Sequence, residues 1–102
     1  FAIELFVERL SFWAEQFPEP MENYQFRLRK MKRQWGNCNN KRIITISSRL
    51  IRYPQSCIDY VLVHELTHLK YLHHGRSFYR LLEKVMPDWQ EQQRMLSQFS
   101  GS

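Results

Sequence analysis

Ile58-Asp59-Tyr60-Val61-Leu62-Val63-His64-Glu65-Leu66-Thr67-His68-Leu69-Lys70-Tyr71-Leu72 reads as a largely buried helix that carries its own chemistry. Within it stands H-E-x-x-H, as His64, Glu65 and His68. On a helix, residues four apart share a face with a rise of roughly 6 Å between them, so two imidazoles can converge on one ion. Glu65 falls about 100° round the helix from His64, beside the ion rather than on it. There a carboxylate takes a proton from metal-activated water without becoming a ligand.

The helix is predicted on independent grounds. Pro54 ends what precedes it, Ser56 suits an N-cap, and Asp59 three residues later completes a capping-box pattern. Ile58, Leu62, Leu66, Leu69 and His73 follow one face, while Cys57, Tyr60, Val61 and Tyr71 cluster toward the side of His64 and His68. Gly75, after His73 and His74, is the expected stop. Unpaired histidines on so apolar a helix cost free energy, and a bound cation removes that cost. Two ordinary core histidines are the blander reading; the i, i+4 spacing, the intervening Glu65 and the histidines downstream weigh against it.

A catalytic zinc keeps three protein ligands and one open position. The first choice for the third is His74, six residues past His68, because Gly75 lets the chain fold back. A carboxylate from the next helix, Glu83 or Glu91, is the second choice, and Cys38 the third. Tyr71, Tyr79, His73 and Arg76 are near enough in sequence to steady a developing oxyanion, although packing or exposure is the commoner role for such residues.

A chain of 102 residues, 43% hydrophobic and 15% aromatic, has the size and composition of one globular domain spanning residues 1–102. A net charge of +5 allows an anionic partner such as nucleic acid, though no long basic run is present and a solvated surface accounts for it. Cys38 and Cys57 form no C-x-x-C pair, which fits a reducing, cytoplasmic setting. Glu4, Glu8 and Arg9 interrupt the first apolar stretch, so neither a signal peptide nor a membrane span is expected there. A start at Phe1 rather than Met reads as that of a fragment.

Ile3, Phe6, Val7, Leu10, Trp13, Ala14 and Phe17 predict an amphipathic helix over about residues 2–16, closed by Pro18 and Pro20. From Tyr24 the period becomes two: Tyr24, Phe26 and Leu28 alternate with Gln25, Arg27 and Arg29. Gly36, Asn37, Asn39 and Asn40 mark a turn, and 42–47 is the return strand of a hairpin. Positive charge at Arg27, Arg29, Lys30, Lys32 and Arg33 gathers on that hairpin, where a guarded sheet edge is the plainer explanation. Beyond Gly75, Ser77 is placed to cap a helix burying Phe78, Leu81, Leu82 and Val85. Pro87-Asp88-Trp89 opens a last helix with Trp89, Gln92, Leu96 and Phe99 on one side.

From Met31 to Leu96 the chain resembles the YgjP-like (WLM-related) zinc metallopeptidase domain. The resemblance lies in Trp35-Gly36-Asn37-Cys38, in Ile58 through Leu69, and in His74, Phe78 and Pro87-Asp88. It implies a zincin-like α+β fold, a short sheet over the H-E-x-x-H helix, with zinc as cofactor, a third ligand at His74 and a soluble intracellular location. The chain departs from the family pattern at Gln34, where Arg usually stands, and at Asn37, Thr67 and Gly75; none of these is a proposed ligand. The expectation is a zinc-dependent hydrolase, a metallopeptidase acting on peptide or protein, with His64, His68 and His74 on the metal and Glu65 catalytic. Alternatives are a metal-dependent phosphoester or nucleotide hydrolase, and a basic nucleic-acid-binding module with a non-catalytic metal.

Overall fold

The computed structural model describes residues 2–99, and its elements surround one helix with almost no solvent side. In α2 (Gln55–His68) eleven of fourteen residues are buried, so it must be covered from several directions. α1 (Ala2–Glu15) lies along it, and α3 (Arg76–Val85), α4 (Trp89–Phe99) and a small sheet cover the rest. The core joins Phe6, Leu10, Ala14 and Phe17 to Ile44, Ile46 and Leu50, to the apolar residues of α2, and to Phe78, Leu82 and Leu96. On α1 the buried stripe is narrower than the sequence predicts: Ile3 and Val7 are 53% and 44% exposed.

Strands β1 (Gln25–Arg29), β2 (Gly36–Cys38) and β3 (Ile43–Ser47) form the sheet in the order β1-β3-β2. This corrects the expected hairpin. The 24–29 and 42–47 segments are neighbours but run parallel, and the antiparallel partner of β3 is β2, part of the stretch read as a turn. The reversal itself is shorter: Asn39 Oδ1 accepts from the Lys41 and Ile43 N–H groups, and Arg42 takes a positive φ of 64°. Local alternation identified the strands; direction and pairing depend on where the intervening chain goes. As the central strand, β3 is covered on both faces, with Ile44, Ile46 and Ser47 fully buried and Thr45 nearly so.

The ends of α2 also differ from expectation. Pro54, not Ser56, is the N-cap residue; its carbonyl accepts from the N–H groups of Cys57 and Ile58. Asp59 therefore lies a turn inside the helix, and its carboxylate takes both Nε and Nη2 of Arg9 at 3.1 and 2.9 Å, which ties α1 to α2. At the other end the helix closes at His68 rather than at Gly75. The Thr67 carbonyl accepts from both Lys70 and Tyr71, and Arg42 Nη1 donates to the Leu69 carbonyl at 3.3 Å. Gly75 instead precedes α3 as its N-cap residue, the place expected of Ser77. Phe78 and Leu82 are buried in α3, and Trp89, Gln92 and Leu96 in α4, as predicted; the side chain of Phe99 lies outside the described residues. Among the described residues no helix is long and apolar enough to cross a membrane.

Candidate metal centre

His64 and His68 stand one turn apart on α2 with ring centroids separated by 5.0 Å, the helical spacing at work. Because α2 ends at His68, the following seven residues can turn back. They bring His74 to the same place, its Nε2 3.2 Å from His64 Nε2. One ligand nitrogen from each of His64, His68 and His74 lies within 4.8 Å of the others. Phe78, fully buried on α3, sits among the three rings at centroid distances of 5.1, 4.6 and 4.9 Å, an apolar wedge that limits how they can rotate.

Protonation favours the same arrangement. His68 Nδ1 lies 3.0 Å from the Tyr71 carbonyl oxygen, which can only accept, so Nδ1 carries the proton and Nε2 keeps its lone pair. Burial lowers the pKa of His68, partly offset by that carbonyl. Burial, then repulsion from His68 and His74, brings His64 down to about 4, so it is neutral at physiological pH. The His64 and His74 Nε2 atoms, 3.2 Å apart, have room for one proton between them or one shared ion. The spacing also suits ligands of one tetrahedral ion, whose nitrogens at 2.0–2.1 Å bond lengths stand about 3.3 Å apart. The donor set therefore fits a divalent cation.

Glu65 is 5% exposed, and its Oε1 is buried without a hydrogen-bond partner. Burial pushes its pKa up to about 8. β2 forms the lid over it: a Cβ on Gly36 would stand 3.1 Å from Glu65 Cγ and 3.2 Å from Oε2, so a larger residue here would press on the carboxylate. Cys38 is two residues further along β2. Burial, then the nearby Glu65 charge, raises its thiol to about 11, so it stays protonated at neutral pH.

Cys38, Glu83 and Glu91 are outside the three-histidine group, and both glutamates are exposed. His73 and Arg76 are exposed as well. Tyr79 packs 6.3 Å from the His74 ring, and Tyr71 contributes its backbone carbonyl to His68. Two contributors were not assigned a role from sequence. Tyr60, one turn before His64, lies 5.8 Å from its ring, and its i−4 spacing was the available signal. Gly36 has the local signature of a turn residue, and nothing local marks it as the cover of a carboxylate.

The model of the YgjP-like metallopeptidase domain matches residues 2–99. The chain belongs to the YgjP-like family. Among solved structures it is similar to the metallopeptidase zymogen abylysin of Pyrococcus abyssi, with a TM-score of 0.79 and 25% identity over 91% of this chain and 93% of that one. It also shares its fold with the metallopeptidase zymogen jannalysin of Methanocaldococcus jannaschii, at a TM-score of 0.71 and 16% identity over 96% and 95% of the two chains. No curated protein matches it. The α+β arrangement is thus that of the zincin-like metallopeptidases. A YgjP-like domain is a metallopeptidase domain, and this membership supports a metal-dependent peptidase.

Proposed function

We propose that this YgjP-like domain is a zinc-dependent peptidase in which His64, His68 and His74 hold the metal and Glu65 is the general base. One observation carries the proposal: three imidazoles from a helix and its downstream turn converge, with a buried, unpartnered carboxylate beside them. Zinc, when bound, acidifies water and polarises the substrate carbonyl. The chain's own residues do the rest. Glu65 is ionised where a cation beside it would offset the burial that raises its pKa; its Oε1, free of any hydrogen bond, then takes the proton of the attacking water and returns it to the leaving amine nitrogen. Gly36 holds the other oxygen's side of the carboxylate in place, and the Tyr71 carbonyl fixes the tautomer of His68.

The substrate lies as an added strand along β2. Ser47 N–H donates to the Trp35 carbonyl and Asn39 N–H to that of Ile43, so by antiparallel alternation Trp35, Asn37 and Asn39 face β3. The backbone groups of Gly36 and Cys38 then face the open edge, directly above Glu65, where an extended peptide can pair with them.

Elemental analysis together with cleavage of a fluorogenic peptide library tests this. Glu65→Gln is expected to keep near-stoichiometric zinc while kcat falls by about 10² to 10⁴. His74→Ala is expected to lose most of the zinc. Undiminished cleavage by Glu65→Gln would remove Glu65 from the mechanism, and full zinc in His74→Ala would remove His74 from the ligand set.

A further inference from the structure

The cavity that touches Glu65 does not end at the histidines. Trp35, Gly36, Tyr60, His64, Glu65 and Leu96 line a space of about 170 Å³. A second space of about 460 Å³ adjoins it, because Trp35, Tyr60 and Leu96 line that one too. Its remaining charged lining is Lys32, Arg33 and Arg49, completed by the neutral Gln34, Gln93 and Ser97. No acidic side chain lines the second space, so every charge in its lining is positive.

Arg49 is the informative residue. It is half-buried, its guanidinium stacks 5.1 Å from the Trp35 ring centroid, and its hydrogen bonds go to the carbonyls of Met31 and Lys32 at 3.3 and 2.9 Å. Both bonds use Nη1, which leaves Nε and Nη2 for an incoming acceptor. Carbonyls orient a guanidinium without neutralising it. Among the described residues the ion pairs are Arg9 with Asp59 and Lys70 with Glu19, so Lys32, Arg33 and Arg49 have no carboxylate partner. A partly desolvated cation held in a fixed orientation at the end of a cleft is built for a carboxylate, which it can receive in bidentate fashion.

We propose that the cleft running from Glu65 past Trp35 to Arg49 selects peptides that place a carboxylate in this basic subsite, to one side of the cleaved bond. This deepens, and rests on, the peptidase reading. Trp35 and Tyr60 supply the apolar walls for the intervening residue, while Arg49, with Lys32 and Arg33 at the exposed rim, supplies the charge. The carboxylate belongs either to an acidic side chain or to the peptide's C-terminus.

The test is binding, so that it stands apart from cleavage. Zinc-loaded Glu65→Gln protein is titrated calorimetrically with hexapeptides carrying Glu or Gln at each position in turn, each made with an amidated and a free C-terminus. At one position the Glu peptide is expected to bind at least about tenfold tighter than its Gln twin. A preference for the free over the amidated C-terminus, independent of Glu, identifies the terminal carboxylate instead. Either advantage is expected to shrink below about threefold in the rim double variant Lys32→Glu/Arg33→Glu and at high salt. The two rim side chains are exposed, so this variant should keep the wild-type fold, checked by its melting curve. Equal binding of charged and neutral peptides, binding of neither, or an oligonucleotide that binds more tightly through the same two residues would overturn the proposal. Selective binding by Glu65→Gln together with no cleavage by the wild type would leave the subsite standing and overturn the peptidase.

Discussion

At the scale of single residues, Glu65 controls how the metal-free domain responds to pH. Burial holds its folded-state pKa at about 8 against an ordinary 4.5. Between those values the folded chain keeps a proton that the unfolded chain has released, so stability falls as pH rises. His64 works in the opposite sense: held at about 4 against 6.5, it makes the unfolded chain the better proton binder, and stability rises with pH up to about 6.5. Above that point only the slope from Glu65 remains. Metal-free protein is therefore expected to melt several degrees lower at about pH 8.5 than at about pH 6.5, and Glu65→Gln to flatten the difference. A wild-type melting temperature that is constant or rises over this window would show that Glu65 is not desolvated. Gly36 matters through distance alone. In Gly36→Ala the new methyl would meet Ile46 Cδ1 at 3.0 Å and the Glu65 side chain at 3.1 Å. The expected result is a loss of about 1–3 kcal/mol in denaturant titration, with kcat falling more than KM rises because the carboxylate is displaced. Wild-type kcat in this variant would exclude Gly36 as the residue that positions Glu65.

At the scale of elements, the tight turn after α2 does what a longer helix would prevent. Had α2 run on to Gly75, His74 would have projected from a rigid rod, six residues and about 240° round from His68. Arg42 helps to end the helix early. From the β2–β3 reversal its guanidinium reaches the Leu69 carbonyl at 3.3 Å, the Asn23 carbonyl at 3.0 Å and the Glu22 carbonyl at 2.6 Å, joining the turn, the entry to β1 and the end of α2. Arg42→Ala is expected to cost about 2–4 kcal/mol, since hydrogen bonds to charged groups contribute about 1.5–3 kcal/mol each and water recovers part of the loss. Zinc affinity should fall with it, because the turn carrying His74 loses its anchor. A loss below about 1 kcal/mol in urea unfolding, with zinc binding intact, would mean that the turn holds itself. The cap of α2 shows why such ends are hard to read from sequence. Ser56 and Asp59 have the capping-box spacing, yet Asp59 is taken by Arg9 from a helix fifty residues away. Thr67, buried in α2, satisfies its hydroxyl by donating to the Val63 carbonyl at 2.7 Å.

At the scale of the whole molecule, the three histidines connect α2 to the turn leading into α3. A cation there would bind the folded chain and have no matching site in the unfolded one. Zinc at a thousand times its dissociation constant is expected to add about 4 kcal/mol, which raises the melting temperature by on the order of 20 °C in a domain of this size. Scanning calorimetry with zinc and with a chelator measures this directly; a transition insensitive to both would mean that the histidines do not bind the ion. The sheet contributes at the same scale. Its β2 edge lies over Glu65, and its reversal carries Arg42, so the strand order β1-β3-β2 places two supports of the site that no local pattern connects.

Short-range periodicity was enough to identify α1, α2, α3 and α4, the strands β1 and β3, and the pairing of His64 with His68 across one helical turn, because each of these depends on residues within about four positions of one another. The resemblance carried by Trp35-Gly36, the H-E-x-x-H run and His74 also indicated the family. Whatever depends on distant segments meeting was decided only in three dimensions: the parallel pairing of β1 with β3, the conversion of an expected turn into β2, the capture of Asp59 by Arg9, and the early end of α2. The closeness of Gly36 to Glu65 belongs with these. Its physical cause is steric, a strand and a helix twenty-nine residues apart in sequence packed to within one missing methyl group, and a glycine in a list of residues does not say what it has made room for.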